Sequence, residues 1–346
     1  MAYMAKSQPD QPPVQENRPW WRRTLGLLLR LWKSAALVLG SLVIAGYLAL
    51  LLVMVLGAGV VQPSGQHVLK AGSQEQTVAL VELSGPIFED DSGSNPLSIT
   101  PGVISSRRVI RLLDDLSQDS DIQAIVIRIN SPGGGVVASD ELYRKIIDVR
   151  QDTPVVVSIG EVAASGGYYL AAAADRIVAN PASITGSIGV LAQLPQFSEL
   201  FDKIGVEVRT IKSGEFKDLG ASDRELTPAE RQILQSVIDD SFEQFVQAIV
   251  TGRNMDEAEV RQLADGRIFT GRQALELGLI DELGTVETAF ELAAQLAQLQ
   301  DPQVIEYSDK TFLQQLLEAR GQLSVLAKLE RLVPASQFGV YYLFQF

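Results

Sequence analysis

The sequence predicts an α/β fold with a mostly parallel sheet, a helical C-terminal half and one N-terminal transmembrane helix. Three observations carry that prediction. Short apolar runs alternate with segments of helical spacing from residue 77 to about 212. Glycine-rich turns directly follow two of those runs, as strand-to-helix turns do in parallel sheets. A run of 28 residues without a charge, 34–61, stands apart from both.

The elements follow in order. Residues 1–33 form a basic cytoplasmic tail, of which 1–19 are polar and contain Pro9, Pro12, Pro13 and Pro19, a composition that favours disorder. The run 34–61, SAALVLGSLVIAGYLALLLVMVLGAGVV, would extend about 42 Å as a helix, more than the roughly 30 Å of bilayer hydrocarbon. Trp20, Trp21 and Trp32 stand where interfacial anchors belong, and the basic residues before the run place the N-terminus in the cytoplasm. The competing reading is a signal peptide cut near Gly57-Ala58-Gly59, for which the apolar core is too long. The folded body is then expected outside the cytoplasmic (inner) membrane. Residues 62–76 read as a polar tether.

From residue 77 the βα alternation begins. TVALVEL (77–83) is a strand, 85–102 a loop, and 105–116 a helix with Val109, Ile110, Leu112, Leu113 and Leu116 on one side. AIVIRI (124–129) is a buried strand that runs into Ser131-Pro132-Gly133-Gly134-Gly135. A helix over 137–150, a strand over 154–159, a turn at 161–167 and a helix over 168–174 follow. A short strand at 177–179, the turn Thr185-Gly186-Ser187-Ile188-Gly189, a helix over 196–204 and a strand over 206–212 complete the alternation. Thr227-Pro228-Ala229-Glu230 is a capping box with proline at the first helical position, so it opens a helix to about 251. Further helices are predicted over 256–264, 271–277, 285–298 and 311–332. The folded body is 77–300, and 301–346 is a C-terminal helix with an apolar tail. That tail, VYYLFQF (340–346), is extended in character; it suits a packing strand, with a place at a binding groove as the second choice.

Composition narrows the chemistry. The 346 residues include no cysteine and one histidine, His67, which falls in the tether. Disulfides, cysteine nucleophiles and Cys- or His-rich zinc sites are therefore excluded; the serine–lysine chemistry argued below needs no metal or organic cofactor. A Ser–His–Asp triad would have to use His67. The net charge is −13, and since residues 1–33 carry +4, the remainder carries −17. So acidic a body repels nucleic acid.

Three turns at the C-terminal ends of predicted strands are candidate sites, since open α/β sheets place ligands there. The glycines of Ser131–Gly135 can present backbone N–H groups to an oxyanion, although a tight βα turn explains them equally well. Ala163-Ala164-Ser165-Gly166-Gly167 sets a serine on a sharp strand-to-helix turn, as a nucleophile elbow does; its plain alternative is a helix N-cap. The segment 211–218, IKSGEFKD, supplies lysines. A serine without histidine needs another base, and a lysine amine serves when burial keeps it neutral. Spacing does not choose between Lys212 and Lys217.

SPGGG, AASGGYYLAAAADRIVANPASITGSIGV, IKSGEFKD and ADGRIFTGRQALELGLIDELG, in this order, resemble the signal peptide peptidase A (SppA) family over residues 76–300. The resemblance implies a crotonase/Clp-protease-like folding unit and a Ser/Lys dyad. By that resemblance Ser165 is the nucleophile, Lys217 the general base and Ser187 the residue that holds the lysine by a hydrogen bond. Gly133 or Gly134, with the N–H of Gly166, would form the oxyanion hole. The family's long form has two such units in tandem; this chain, with one unit behind one membrane segment, resembles the short form. In that form serine and lysine of one site come from adjacent protomers, which implies a homo-oligomer, an octameric ring. The expected activity is membrane-anchored serine endopeptidase action on remnant signal peptides, with peptides and membrane lipid as partners. The alternatives are a related protease of intact membrane proteins, a crotonase-type acyl-CoA enzyme and a non-enzymatic membrane scaffold.

Overall fold

In a computed structural model of the chain, residues 66–89, 102–307 and 341–343 are described, together with residue 46. The predicted transmembrane run 34–61 and the predicted helix 311–332 lie outside the described residues. No helix among the described residues is long and apolar enough to cross a membrane.

The apolar runs become the central strands of one sheet. β1 (Gln66–Lys70) and β2 (Ser73–Ser84) precede two short strands, β3 (Ile87–Phe88) and β4 (Ile104–Ser105). Helix α1 (Ser106–Gln118) leads into β5 (Ile122–Ser131), β6 (Gly133–Gly135), α2 (Val136–Val149) and β7 (Val155–Ala164). Then come α3 (Gly166–Ala171), β8 (Arg176–Ala179), β9 (Ile184–Gly186) and α4 (Ser198–Ile204). The second half is α5 (Pro228–Arg253), α6 (Glu257–Leu263), β10 (Ile268–Thr270), α7 (Gly271–Glu276), β11 (Glu282–Leu283), α8 (Val286–Leu296) and β12 (Pro302–Tyr307). A last described strand, β13 (Tyr341–Leu343), follows.

The main sheet runs β1-β12-β2-β5-β7-β8-β11, with β9 also on β7 and β10 on β9. Every pairing from β12 to β11 is parallel; only β1–β12 and β9–β10 are antiparallel. The expected α/β fold with a mostly parallel sheet is thus present. The middles of its central strands are apolar because both faces are covered there. In β2 the alternation splits cleanly: Ala79, Val81 and Leu83 join a cluster with α1, α2, α3 and α5, and Val78 and Leu80 join one with α8. Tyr168, Tyr169, Phe245 and Ile249 fill the first cluster.

Helix starts follow local chemistry. Ser105 caps α1 by accepting from the Arg108 amide. The predicted box at Thr227 closes in both directions, Glu230 N–H to Thr227 Oγ1 at 3.2 Å and Thr227 N–H to Glu230 Oε2 at 2.9 Å.

Two segments differ from the expectation. The tether reading of 62–76 gives way at Gln66–Lys70, which pairs with β12 as the sheet's edge strand. The strand expected over 206–212 does not form: these residues are irregular, and Val206, Val208 and Ile211 are exposed. The alternation of apolar residues is there, but among the described residues no neighbouring strand offers its edge, and an unpaired strand leaves its N–H and C=O groups without partners.

A smaller sheet, β13-β6-β3-β4, sits at the end of β5. Its central members are β3 and the three glycines of β6, paired in parallel through Ile87 and Gly134.

Candidate active site

The parallel strands β5, β7 and β9 end side by side and deliver two of the three candidate turns together with the turn that holds Ser187; the third candidate, 211–218, follows no strand among the described residues. Ser131 closes β5 opposite Ala163, and Ala164 closes β7 opposite Gly186 of β9. The first residues beyond that last pair are Ser165 and Ser187, so the two serines leave neighbouring strands side by side.

Ser165 has the geometry of an elbow. Its φ of 52° and ψ of −119° are unfavourable for a residue with a Cβ, costing about 1–3 kcal/mol. The strain is held from both sides: Ser165 N–H donates to Gly186 O at 2.8 Å, and its carbonyl accepts from the Tyr169 amide at 2.9 Å. It holds the N-cap position of α3, but its side chain makes no cap hydrogen bond to that helix. The residue is 1% exposed.

The glycine turns are wedged against one another. A Cβ on Gly166 would lie 3.2 Å from both Gly133 Cα and Gly134 N, and one on Gly134 would lie 1.9 Å from Ile87 O. Only glycine permits this approach. Gly133, at φ 102°, donates its N–H to Ser131 Oγ at 3.1 Å. The structure therefore brings Gly133, Gly134, Ser165, Gly166 and Ser187 together. Ser187 also has a positive φ, 50°, and its N–H donates to Arg267 O at 2.8 Å.

The lysines separate. Lys212 Nζ pairs with Asp218 Oδ1 at 2.7 Å and donates to Glu215 O at 2.8 Å, so its charge is committed to a carboxylate. Asp218 also meets Arg224 Nη2 at 3.0 Å, and Arg224 Nη1 donates to Glu230 Oε2 at 2.8 Å. Hydrogen bonds from Arg224 and then Lys212 lower the Asp218 carboxyl to about 2. Those from Arg224 and the Thr227 amide lower Glu230 to about 2. This chain of ions braces 212–230. Lys217 stands on the exposed turn it braces, and among the described residues no hydrogen bond or ion pair reaches its amine. The structure does not join Lys217 to Ser165 or Ser187 within the chain.

Other bases are remote or engaged. His67 lies on β1, with β12, β2 and β5 between it and β7, about 19 Å at ~4.8 Å per strand. Tyr168, next to the elbow, donates its hydroxyl to Leu279 O at 2.8 Å, and burial pushes its phenol well above the ordinary value. One residue was missed from the sequence. Ser139, on the buried face of α2 beside Ala138, has a hydroxyl without a hydrogen-bond partner among the described residues. Its Oγ would lie 2.6 Å from a Cβ on Gly166, so it backs directly onto the elbow. A polar residue among Ala138, Leu142 and Ile146 was the available signal.

A strained serine at the end of a parallel strand, facing glycine turns in an α/β unit, defines a serine hydrolase. The comparisons with known proteins agree. The peptidase family S49 model matches residues 147–300, and the Clp protease model matches 103–184. A Synechocystis sp. protein named as a protease is 43% identical over 237 residues, 67% of this chain and 85% of that protein. One from Methanocaldococcus jannaschii, also named as a protease, is 36% identical over 75% of this chain and 84% of its own length. An Enterococcus faecium protein named as a signal peptide peptidase is 32% identical over 71% of each. The chain belongs to peptidase family S49, the SppA family, and is a serine protease.

Proposed function

We propose that the chain is a membrane-anchored endopeptidase that degrades remnant signal peptides through a Ser165/Lys217 dyad. Ser165 Oγ attacks the peptide carbonyl, and the neutral Lys217 amine takes its proton and returns it to the leaving amine. The acyl-enzyme on Ser165 is then hydrolysed by water that the same lysine activates. The N–H groups of Gly166 and of Gly133 or Gly134 receive the oxyanion, and Ser187 steadies the lysine. The observation that carries the reading is the strained Ser165 elbow packed against the Gly133–Gly134 turn.

A second protomer completes the site in this proposal. An exposed lysine is a poor neutral base, and covering the 205–217 segment with a neighbouring copy would bury it. The exposed apolar residues Ile204, Val206, Val208, Ile211 and Phe216 along that segment suit such a contact. The reading includes a homo-oligomeric ring, an octamer, in which Lys217 of one copy serves the next copy's Ser165. The run 34–61 anchors the chain in the inner membrane with its N-terminus cytoplasmic and its catalytic body outside. Apolar signal-peptide remnants would then be met at the bilayer surface.

The test is hydrolysis of an apolar fluorogenic peptide by the full chain in detergent. Ser165→Ala and Lys217→Ala should each abolish turnover with the fold retained. Full activity in either variant overturns the dyad.

A further inference from the structure

A parallel sheet covered on both faces reads as apolar runs, so a polar row inside it needs a reason. On the α8 face of the main sheet, Val126 and Val156 share a cluster with Ala289 and Ala293 of α8. Two residues further along the same strands the face turns polar. Arg128 stands in register with Glu82 on one side and with Ser158 on the other. Here the first turn of α8 borders a cavity of about 630 Å³, lined by Arg128, Ser158, Glu161, Asn180 and Ser183 among others.

Ser158 shows what the cavity lacks. It is 3% exposed and lines the cavity, yet among the described residues no hydrogen bond reaches its hydroxyl. A buried hydroxyl without a partner is costly, and a ligand oxygen would satisfy it. Its neighbours also have donors to spare. Arg128 meets Glu82 through Nη1 alone, at 3.4 Å. Asn180 accepts the Ala182 amide on Oδ1 at 2.9 Å, and its NH2 has no partner among the described residues. A guanidinium, a hydroxyl and a carboxamide NH2 together suit a carboxylate. The end of α8 is capped from within, Thr285 N–H donating to Thr288 Oγ1 at 3.2 Å and Thr285 Oγ1 to the Glu287 carboxylate.

Glu161 supplies the opposite sign, and among the described residues its carboxylate has no hydrogen bond or ion pair. It stands three residues beyond Ser158 on β7, about 10 Å at ~3.3 Å per residue. An extended peptide of about three residues has that length.

We propose that this cavity binds short peptides of about three residues with both termini free. The carboxylate lies toward Arg128, Ser158 and Asn180, and the ammonium toward Glu161. Such peptides are what a protease releases, so the cavity is a product site set apart from the elbow. Its wall is continuous with the elbow's strands. Ser183 Oγ donates to Gly160 O at 2.5 Å, and β9, which starts at the next residue, ends at Gly186, the acceptor of the Ser165 amide. Binding here depends neither on Lys217 nor on the substrate proposed above.

The experiment is calorimetry on the full chain with Ser165→Ala, so that nothing is cut, using tri-alanine, its N-acetyl form and its C-terminal amide. Blocking either terminus should weaken binding about tenfold or more, as loss of a hydrogen bond to a charged group does. Arg128→Gln and Ser158→Ala should each weaken tri-alanine by a similar factor. Glu161→Gln should erase the preference for the free over the acetylated peptide. Melting temperatures are recorded alongside, and Glu161 is exposed, so its variant reports even if a substitution within the sheet fails to fold. No binding of tri-alanine, or equal binding of the three peptides, overturns the proposal. So does an affinity that all three substitutions leave untouched, because the peptide would then sit elsewhere, as in the groove before Ser165.

Discussion

Ser165 and Ser187 leave adjacent parallel strands one residue beyond the registered pair Ala164 and Gly186, both at positive φ, 52° and 50°. The Ser165 amide donates to the Gly186 carbonyl at 2.8 Å, so the first turn is tied to the residue before the second serine. Two strained residues side by side, each pinned by backbone hydrogen bonds, form a rigid pair at the sheet edge. Catalytic groups gain from such placement, because strands fix positions that free loops do not.

Ser187→Ala tests the role of that neighbour. If its hydroxyl steadies the lysine, kcat should fall about 100-fold with KM unchanged, the lower end of the span of acid–base contributions. Steady-state kinetics on an apolar peptide separates the two parameters. An unchanged kcat would leave Ser187 as a turn residue only. Ser187→Thr, which keeps the hydroxyl, should retain more activity than Ser187→Ala.

The choice of base is tested by substituting each lysine and then mixing variants. Lys217→Ala should be inactive. Lys212→Ala should loosen the 212–230 brace but keep measurable turnover, since its amine is held by Asp218. Unfolding together and refolding Ser165→Ala with Lys217→Ala should restore about one site in four if serine and lysine come from neighbouring copies of a ring. Failure to recover any activity would argue against a shared site.

The parallel sheet was legible because its strands are short runs of β-branched residues closed by glycine turns. AIVIRI (124–129) and VVVSI (155–159) read as strands by their shortness, their β-branched residues and the glycines that follow. Ser165 was legible for the same reason: a serine between small residues at a strand end. Where the reading failed, the missing information was tertiary. At 206–212 the alternation of Val206 and Val208 matches a strand, but no partner edge stands beside it among the described residues. Gln66–Lys70 looked like a tether because β12, its partner, lies more than 230 residues further along. Ser139 carries no motif; a polar residue on the apolar face of α2 marks it in the sequence, and the wedging of Gly166 shows what it touches. The tail at 341–343 was recognised as extended, but its register on Gly133–Gly135 follows from the fold.

Acid should loosen the lysine-bearing loop in a defined window. Asp218 and Glu230 are both held at about 2, below their ordinary values of 3.8 and 4.5. A lowered carboxyl contributes stability that is complete above its ordinary value and lost as pH falls through the folded one. The brace should be intact at pH 5 and fade between about pH 4 and 2. Pepsin digestion across pH 2–5 should show cleavage within 205–227 appearing only in that window. Asp218→Asn should remove the Asp218 part of the dependence and admit cleavage at pH 5. A protease-sensitive loop at pH 5 in the unsubstituted chain would contradict the brace.

Gly166→Ala separates packing from chemistry at the elbow. The added Cβ would lie 2.6 Å from Ser139 Oγ and 3.2 Å from Gly133 Cα and Gly134 N. Overpacking of this kind costs about 1–3 kcal/mol, which a thermal melt resolves. Adding Ser139→Ala removes the closest contact and should recover much of the lost stability. Turnover should stay low in the double variant, because the two backbone contacts still hold the glycine turns apart where oxyanion donors must converge. Ser139→Ala alone is expected to be neutral or slightly stabilising, since it deletes a buried hydroxyl with no partner among the described residues. A large fall in kcat from Ser139→Ala alone, with the melting temperature unchanged, would show instead that the hydroxyl acts in the reaction through the elbow it backs. The pair of measurements, Tm and kcat on the same three variants, therefore assigns Ser139 either to the packing of the site or to its chemistry.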